Sequence, residues 1–139
     1  MILLDTSGVL AAIDGSQRHH RACAAVLREA APPLLLSPFV LAELDYLLMR
    51  HVGYEAQSSF LEEVARGAYR LEPFESSDIK LAKTVLDRYE DLQIGLADAS
   101  LVVLAERHQV AEVLTLDERH FRALRYEKRK RFKLLPIER

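Results

Sequence analysis

Asp5, Glu43, Asp98 and Asp117 lie far apart in the chain, yet each stands where a short apolar run gives way to a helical pattern. Asp5 closes Ile2-Leu3-Leu4, and Asp117 follows Glu112-Val113-Leu114-Thr115-Leu116. Glu43 and Asp98 fall in the early turns of two apolar helical stretches. In an alternating α/β chain such places converge on the carboxyl edge of the sheet, outside which ligands bind. Carboxylates gathered there repel one another strongly unless a divalent cation stands among them. The chemistry this pattern supports is metal-dependent hydrolysis. Each acid alone has an ordinary role: Asp5 as a turn residue, Asp98 as a helix N-terminal acid, Asp117 as an N-cap. Only their conjunction is specific.

The elements that would position them are legible as short apolar runs at Ile2–Asp5, Leu34–Ser37, Tyr69–Glu72, Glu112–Thr115 and Lys133–Pro136, of the kind buried in parallel sheets. Helical patterns occupy the gaps: Ser7–Ile13, His19–Ala31 ending at Pro32-Pro33, a helix opened by Ser37-Pro38 and running to about His51, Glu55–Arg66, Ser77–Tyr89 capped by Ser76 or Ser77, Leu96–His108, and a short one from Asp117 or Glu118 to about Leu124. Strands alternating with helices predict a three-layer α/β/α sandwich around a mainly parallel sheet of about five strands.

Glu43 has Phe39, Val40, Tyr46 and Leu47 as helical neighbours, and Asp98 has Ile94, Gly95, Leu101 and Val102. Acids on such faces are costly unless paired or bound to metal, and no lysine or arginine lies near either in sequence. Asp45 sits among Leu41, Ala42, Leu48 and Met49, so periodicity alone does not choose between it and Glu43.

A chain of 139 residues, 50% of them hydrophobic, fits one domain over residues 1–139 with a single core. The lone Cys23 excludes an internal disulfide and reads as a small core residue. The chain opens directly on a strand-like run without a leader pattern, and no apolar run has the length of a membrane span, so a soluble cytoplasmic protein is expected. The net charge of -2 conceals an asymmetry: residues 1–117 hold 18 acids and 10 bases, residues 118–139 hold 3 acids and 9 bases. An acidic body with a basic end suits a metal at one place and a polyanion at another.

Asp5-Thr6-Ser7 after an apolar strand, Ser37-Pro38-Phe39-Val40-Leu41-Ala42-Glu43-Leu44, Ala97-Asp98-Ala99, and Leu114-Thr115-Leu116-Asp117-Glu118-Arg119-His120-Phe121 resemble, in order, the four motifs of PIN-domain proteins. Their spacing and the chain length resemble the compact VapC toxins of type II toxin–antitoxin pairs, and the resemblance covers about residues 2 to 136. It implies a Mg²⁺- or Mn²⁺-dependent endoribonuclease cutting structured RNA, tRNA or rRNA. It also implies a homodimer held inactive by a VapB-like antitoxin. The resemblance carries the family's acids onto Asp5, Glu43, Asp98 and Asp117, and their accompanying hydroxyls onto Thr6 or Ser7 and Thr115. An inactive PIN-like module that only binds RNA or protein is the competing reading; such modules typically lack one or more of the acids.

Mg²⁺ usually takes one or two carboxylates directly and keeps several waters. Asp5 and Asp98 are therefore expected as direct ligands, Asp117 as a ligand directly or through water, and Glu43 as a group behind the ligands or the general base, orienting the attacking water. Arg119 and Arg122 are the expected phosphate grips, ahead of the Lys128–Arg131 run, for which a further phosphate contact and a plain solvated loop before the last strand both stay open. The histidines read as structural, with His120, three residues after Asp117, near enough to touch RNA; no zinc-type His/Cys spacing occurs. A haloacid-dehalogenase phosphatase would need an Asp at Ser7, and a receiver domain a lysine after Asp117. The apolar helices around Phe39–Met49 and Ala11–Ala31 carry surface that a partner could cover.

Overall fold

The computed structural model describes residues 1–139. In chain order the elements are β1 (Ile2–Leu4), α1 (Thr6–Ile13), α2 (His20–Glu29), β2 (Leu34–Leu36), α3 (Pro38–His51), α4 (Tyr54–Ala65), β3 (Arg70–Leu71), α5 (Ser76–Arg88), a 3₁₀ turn (Glu90–Leu92), α6 (Leu96–His108), β4 (Glu112–Leu114), α7 (Glu118–Ala123), β5 (Arg125–Tyr126), β6 (Lys130–Arg131) and β7 (Lys133–Leu135). Five strands form one sheet in the order β3-β2-β1-β4-β7, and every pairing in it is parallel. Seven helices flank it, giving the expected α/β/α sandwich.

The connection from β1 through β2 to β3 runs to one side, and the chain then returns across the sheet to place β4 on the other side of β1. The order therefore reverses between β1 and β4. At such a switch point the loops leaving adjacent strands diverge and open a crevice. Asp5 and Asp117 follow β1 and β4 directly, so this topology sets them side by side.

Ile2, Leu3 and Leu4 are all buried, as are Leu35, Leu36, Val113, Leu114, Leu134 and Leu135. Covered on both faces, a parallel strand tolerates little but aliphatic side chains. α6 is buried from Ala99 through Ala105, including Ser100; a helix apolar on nearly all sides is a central one. Ser100 and Ser37 satisfy each other there at 2.7 Å, and Ser100 also donates to the Ala97 carbonyl.

Local signals account for the helix starts. Ser37 caps α3, its Oγ accepting from the Phe39 amide, with Pro38 in the first position where a missing N–H costs nothing. α5 differs from expectation: its cap is Glu75, paired reciprocally with Asp78, rather than Ser76 or Ser77. The expected strands and helices are otherwise present, with ends displaced by a residue or so.

The basic run is solvent-exposed, and its backbone is a short hairpin rather than a loop. Lys130 and Arg131 form β6, antiparallel to β5, with Glu127 and Lys128 in the left-handed region at the turn. Tyr126 and Phe132 are buried and pack on one another at 5.3 Å, and Phe132 meets Phe121 edge-on at 5.6 Å. These aromatic anchors pin the hairpin to the body. Across the sheet, buried Glu72 gathers Arg70, Arg107 and His108. Burial opposes its ionisation, but hydrogen bonds from His108, Arg70 and Arg107 outweigh that and lower its pKa.

No helix is long and apolar enough to cross a membrane.

Candidate active site

β1 delivers Asp5 to the carboxyl edge, where the Asp5 amide donates to the Leu114 carbonyl at 3.0 Å and so ties it to the end of β4. The chain turns at once into α1, which lies against β4. A Cβ on Gly8 would stand 2.5 Å from the Leu114 carbonyl oxygen, so only glycine permits this approach. The closeness brings Ser7 and Thr115 together. Thr115, fully buried, donates to Asp5 Oδ2 at 2.6 Å, and Ser7 Oγ donates to the same oxygen at 3.0 Å. The two hydroxyls in turn accept backbone amides, Asp117 N on Thr115 and Leu116 N on Ser7, each at 2.9 Å.

Thr6, next along, donates to Glu43 Oε1 at 2.6 Å and joins the start of α1 to α3. Asp98 arrives in the first turn of α6. Asp117 caps α7, its Oδ1 accepting from the His120 amide at 3.1 Å. Together Asp5, Thr6, Ser7, Glu43, Asp98, Asp117 and His120, with Leu10 and Leu47, line one cleft of about 360 Å³. All four acids singled out in the sequence thus meet, with Thr6 and Ser7 in the lining and Thr115 just behind it.

Asp45 is not among them. It accepts from Gln57 of α4 at 2.7 Å, on another face of α3. The apolar sequence neighbours of Glu43 predict a buried acid, and in this the expectation fails: Glu43 is exposed, and its neighbour Tyr46 is 61% exposed. Glu43 belongs to the cleft through Thr6 rather than through burial.

His120 is the residue sequence reasoning undervalued. Its Nδ1 lies 2.8 Å from Asp98 Oδ2 and 2.9 Å from Asp117 Oδ2. Its spacing of three from Asp117 on a helix was a visible signal; the contact with Asp98, 22 residues away, was not. Arg119 and Arg122 do not line the cleft. Arg119 is exposed, and Arg122 is paired with Glu118 at 2.7 Å. Lys130 of the hairpin pairs with Glu127 and lies over the Tyr126 ring.

The electrostatics are those of an anionic site short of countercharge. Burial, more than any neighbour, pushes the Asp5 carboxyl from its ordinary 3.8 up to about 6; the hydrogen bonds from Thr115 and Ser7 oppose the rise and the charge of Asp98 adds to it. Asp98 is raised too, first by burial and then by the charges of Asp117 and Glu43, against the pull of His120. No lysine or arginine lines the cleft. Donor atoms of Asp98, Asp117 and His120 lie within 4.8 Å of one another. Such an oxygen-rich, convergent set fits a divalent cation, whose charge would favour the carboxylates against the burial and, secondarily, the repulsion that raise both pKa values.

The family model of the PIN domain matches residues 2–126. Ribonuclease VapC26 of Mycobacterium tuberculosis (strain ATCC 25618 / H37Rv) is 41% identical over 135 residues, spanning 97% of this chain and 100% of that protein. The crystal structure of Mycobacterium tuberculosis VapC20, a sarcin–ricin loop cleaving toxin, superposes with a TM-score of 0.78 over 84% of this chain and 90% of that one. At 20% identity that likeness speaks to the fold.

Proposed function

Because the chain belongs to the PIN-domain family and, within it, to the VapC ribonucleases, we propose that the cleft of Asp5, Glu43, Asp98 and Asp117 is the catalytic centre of a metal-dependent endoribonuclease, the toxin of a type II toxin–antitoxin pair. One observation carries the assignment of residues. Four carboxylates from four elements, adjacent at the topological switch point, line one cleft without a lysine or arginine among them.

Asp5, Asp98 and Asp117 would hold the cation, Mg²⁺ or Mn²⁺. When bound, it supplies Lewis acidity to the scissile phosphate and lowers the pKa of a water molecule. The chain's own residues do the positioning. Thr115 and Ser7 both bind Asp5 Oδ2, which fixes the carboxylate plane and leaves Oδ1 free of side-chain hydroxyls. Thr6 fixes Glu43 by Oε1 and leaves Oε2 to accept a proton from the attacking water. Being exposed, Glu43 meets that water without having to be desolvated.

RNA is held from outside the cleft. Arg119 projects from the short helix that Asp117 caps, and Arg122 stands one turn further along, exchanging Glu118 for a phosphate when RNA binds. A structured RNA, tRNA or rRNA, is the substrate class. The whole of residues 1–139 acts as one domain in the cytoplasm, as a homodimer restrained by a VapB-like antitoxin. Exposed Tyr46, Met49, Val52, Tyr54 and Leu61 around the α3–α4 corner give a partner an apolar surface to cover.

The deciding experiment incubates the protein and its Asp98→Asn variant with total RNA in Mg²⁺, with and without EDTA, and reads new 5′ ends. Cleavage that needs both Asp98 and the metal is the expected result. RNA binding without cleavage under any of these conditions would establish the binding-only module instead.

A further inference from the structure

The His120 ring has two partners and both are acids of the cleft: the same atom, Nδ1, faces Asp98 Oδ2 at 2.8 Å and Asp117 Oδ2 at 2.9 Å. Cis donors around an octahedral cation, with bonds of about 2.1 Å, stand about 3 Å apart. The distances from Nδ1 to the two oxygens are those of hydrogen bonds in the metal-free cleft, and they also suit two edges of such a shell, so a cation could replace the proton with little movement of the ring. The ring is also held where a ligand would be. Asp117 Oδ1 accepts from the His120 amide, so the acid that would share the cation with the imidazole also fixes its backbone. The side chain is about one-fifth exposed and lines the cleft alongside the carboxylates.

We propose that His120 is a direct nitrogen ligand of the catalytic cation, which makes this a mixed nitrogen–oxygen centre that binds Mn²⁺ in preference to Mg²⁺. The inference rests on the reading of the cleft as a metal centre. As a ligand His120 would carry its proton on Nε2 and offer the Nδ1 lone pair, the atom that faces Asp98 and Asp117, to the cation. Mg²⁺ favours oxygen donors and gives up its waters reluctantly. Imidazole suits transition metals, so a nitrogen in the set moves selectivity away from Mg²⁺.

The test is Mn²⁺ titration of the metal-free full chain, followed by pulsed electron paramagnetic resonance, on the parent, His120→Ala and Asp98→Asn. A directly bound nitrogen gives a ¹⁴N coupling in the parent spectrum. His120→Ala is expected to abolish that coupling and weaken Mn²⁺ by about tenfold or more, while Mg²⁺ affinity, read by competition, falls less. Saturable Mn²⁺ binding that Asp98→Asn abolishes, but with no ¹⁴N coupling in the parent, would overturn the ligand assignment and leave the metal centre standing. Binding that is absent in the parent, or undiminished in Asp98→Asn, would overturn the metal-centre reading and this inference with it. The parent spectrum decides the question even if His120→Ala does not fold.

Discussion

Thr115 donates its hydroxyl to Asp5 Oδ2 at 2.6 Å, and 110 residues of chain separate the two. The bond is buried and charge-assisted, joining the end of β1 to the end of β4 at the place where strand order reverses. It makes Thr115 a controller of the most strongly perturbed acid in the cleft.

Thr115→Val is expected to push the Asp5 pKa above its present value of about 6, because a hydrogen bond favouring the carboxylate is removed. A bond to a charged group contributes about 1.5–3 kcal/mol, so in the metal-free protein the Asp5 carboxyl, followed by NMR, should titrate about one to two pH units higher. A midpoint that stays in place would show that the Thr115 hydroxyl does not hold the Asp5 carboxylate.

The metal-free protein should lose stability as pH rises. Folding lifts the Asp5 pKa from 3.8 to about 6, so the folded state holds this proton more tightly than the unfolded chain. The resulting contribution is fully present below about pH 4 and is lost as pH climbs through about 6, to the extent of about 2–3 kcal/mol. Thermal unfolding in EDTA at pH 4.5 and pH 7 measures it. Asp5→Asn, which keeps the shape and loses the charge, should remove most of the difference and melt higher than the parent at pH 7.

Gly8→Ala should destabilise the fold although alanine favours helices. Its Cβ would meet the Leu114 carbonyl at 2.5 Å, backbone that has no freedom to yield. Overpacking of this kind costs about 1–3 kcal/mol. Cleavage measured well below the melting temperature should also fall, since displacing α1 pulls Ser7 away from Thr115 and Asp5.

Glu43 and Asp45 separate cleanly in a pair of variants. Glu43→Gln should lower kcat by about 10²–10⁴, the usual contribution of a positioned general base. Asp45→Asn should leave it within a small factor, because that side chain serves Gln57. Equal loss in both would mean that α3 acts through its stability rather than through Glu43.

Much of this architecture was legible in the chain because its signals are local. Ile2-Leu3-Leu4 and Glu112-Val113-Leu114 read as buried strands since a parallel sheet covered on both faces demands uninterrupted apolar residues. Ser37-Pro38 announced α3 because capping depends on residues only two or three apart. The hairpin at Arg125–Arg131 was not legible. Its strands are two residues long and highly charged, and they are held by Tyr126, Phe121 and Phe132, whose packing is tertiary. Glu43 was placed by its motif, whereas its apolar neighbours misled, because part of that helix face looks outward.

Hydrophobic period and capping, both written in neighbouring residues, are enough to specify the elements, their alternation and the four acids at their junctions. Long-range packing brings the acids into one cleft, sets Thr6 on Glu43, and stands His120 between Asp98 and Asp117. It also decided why Gly8 is glycine. These relations span tens of residues and depend on the reversal of strand order between β1 and β4, which no local pattern encodes.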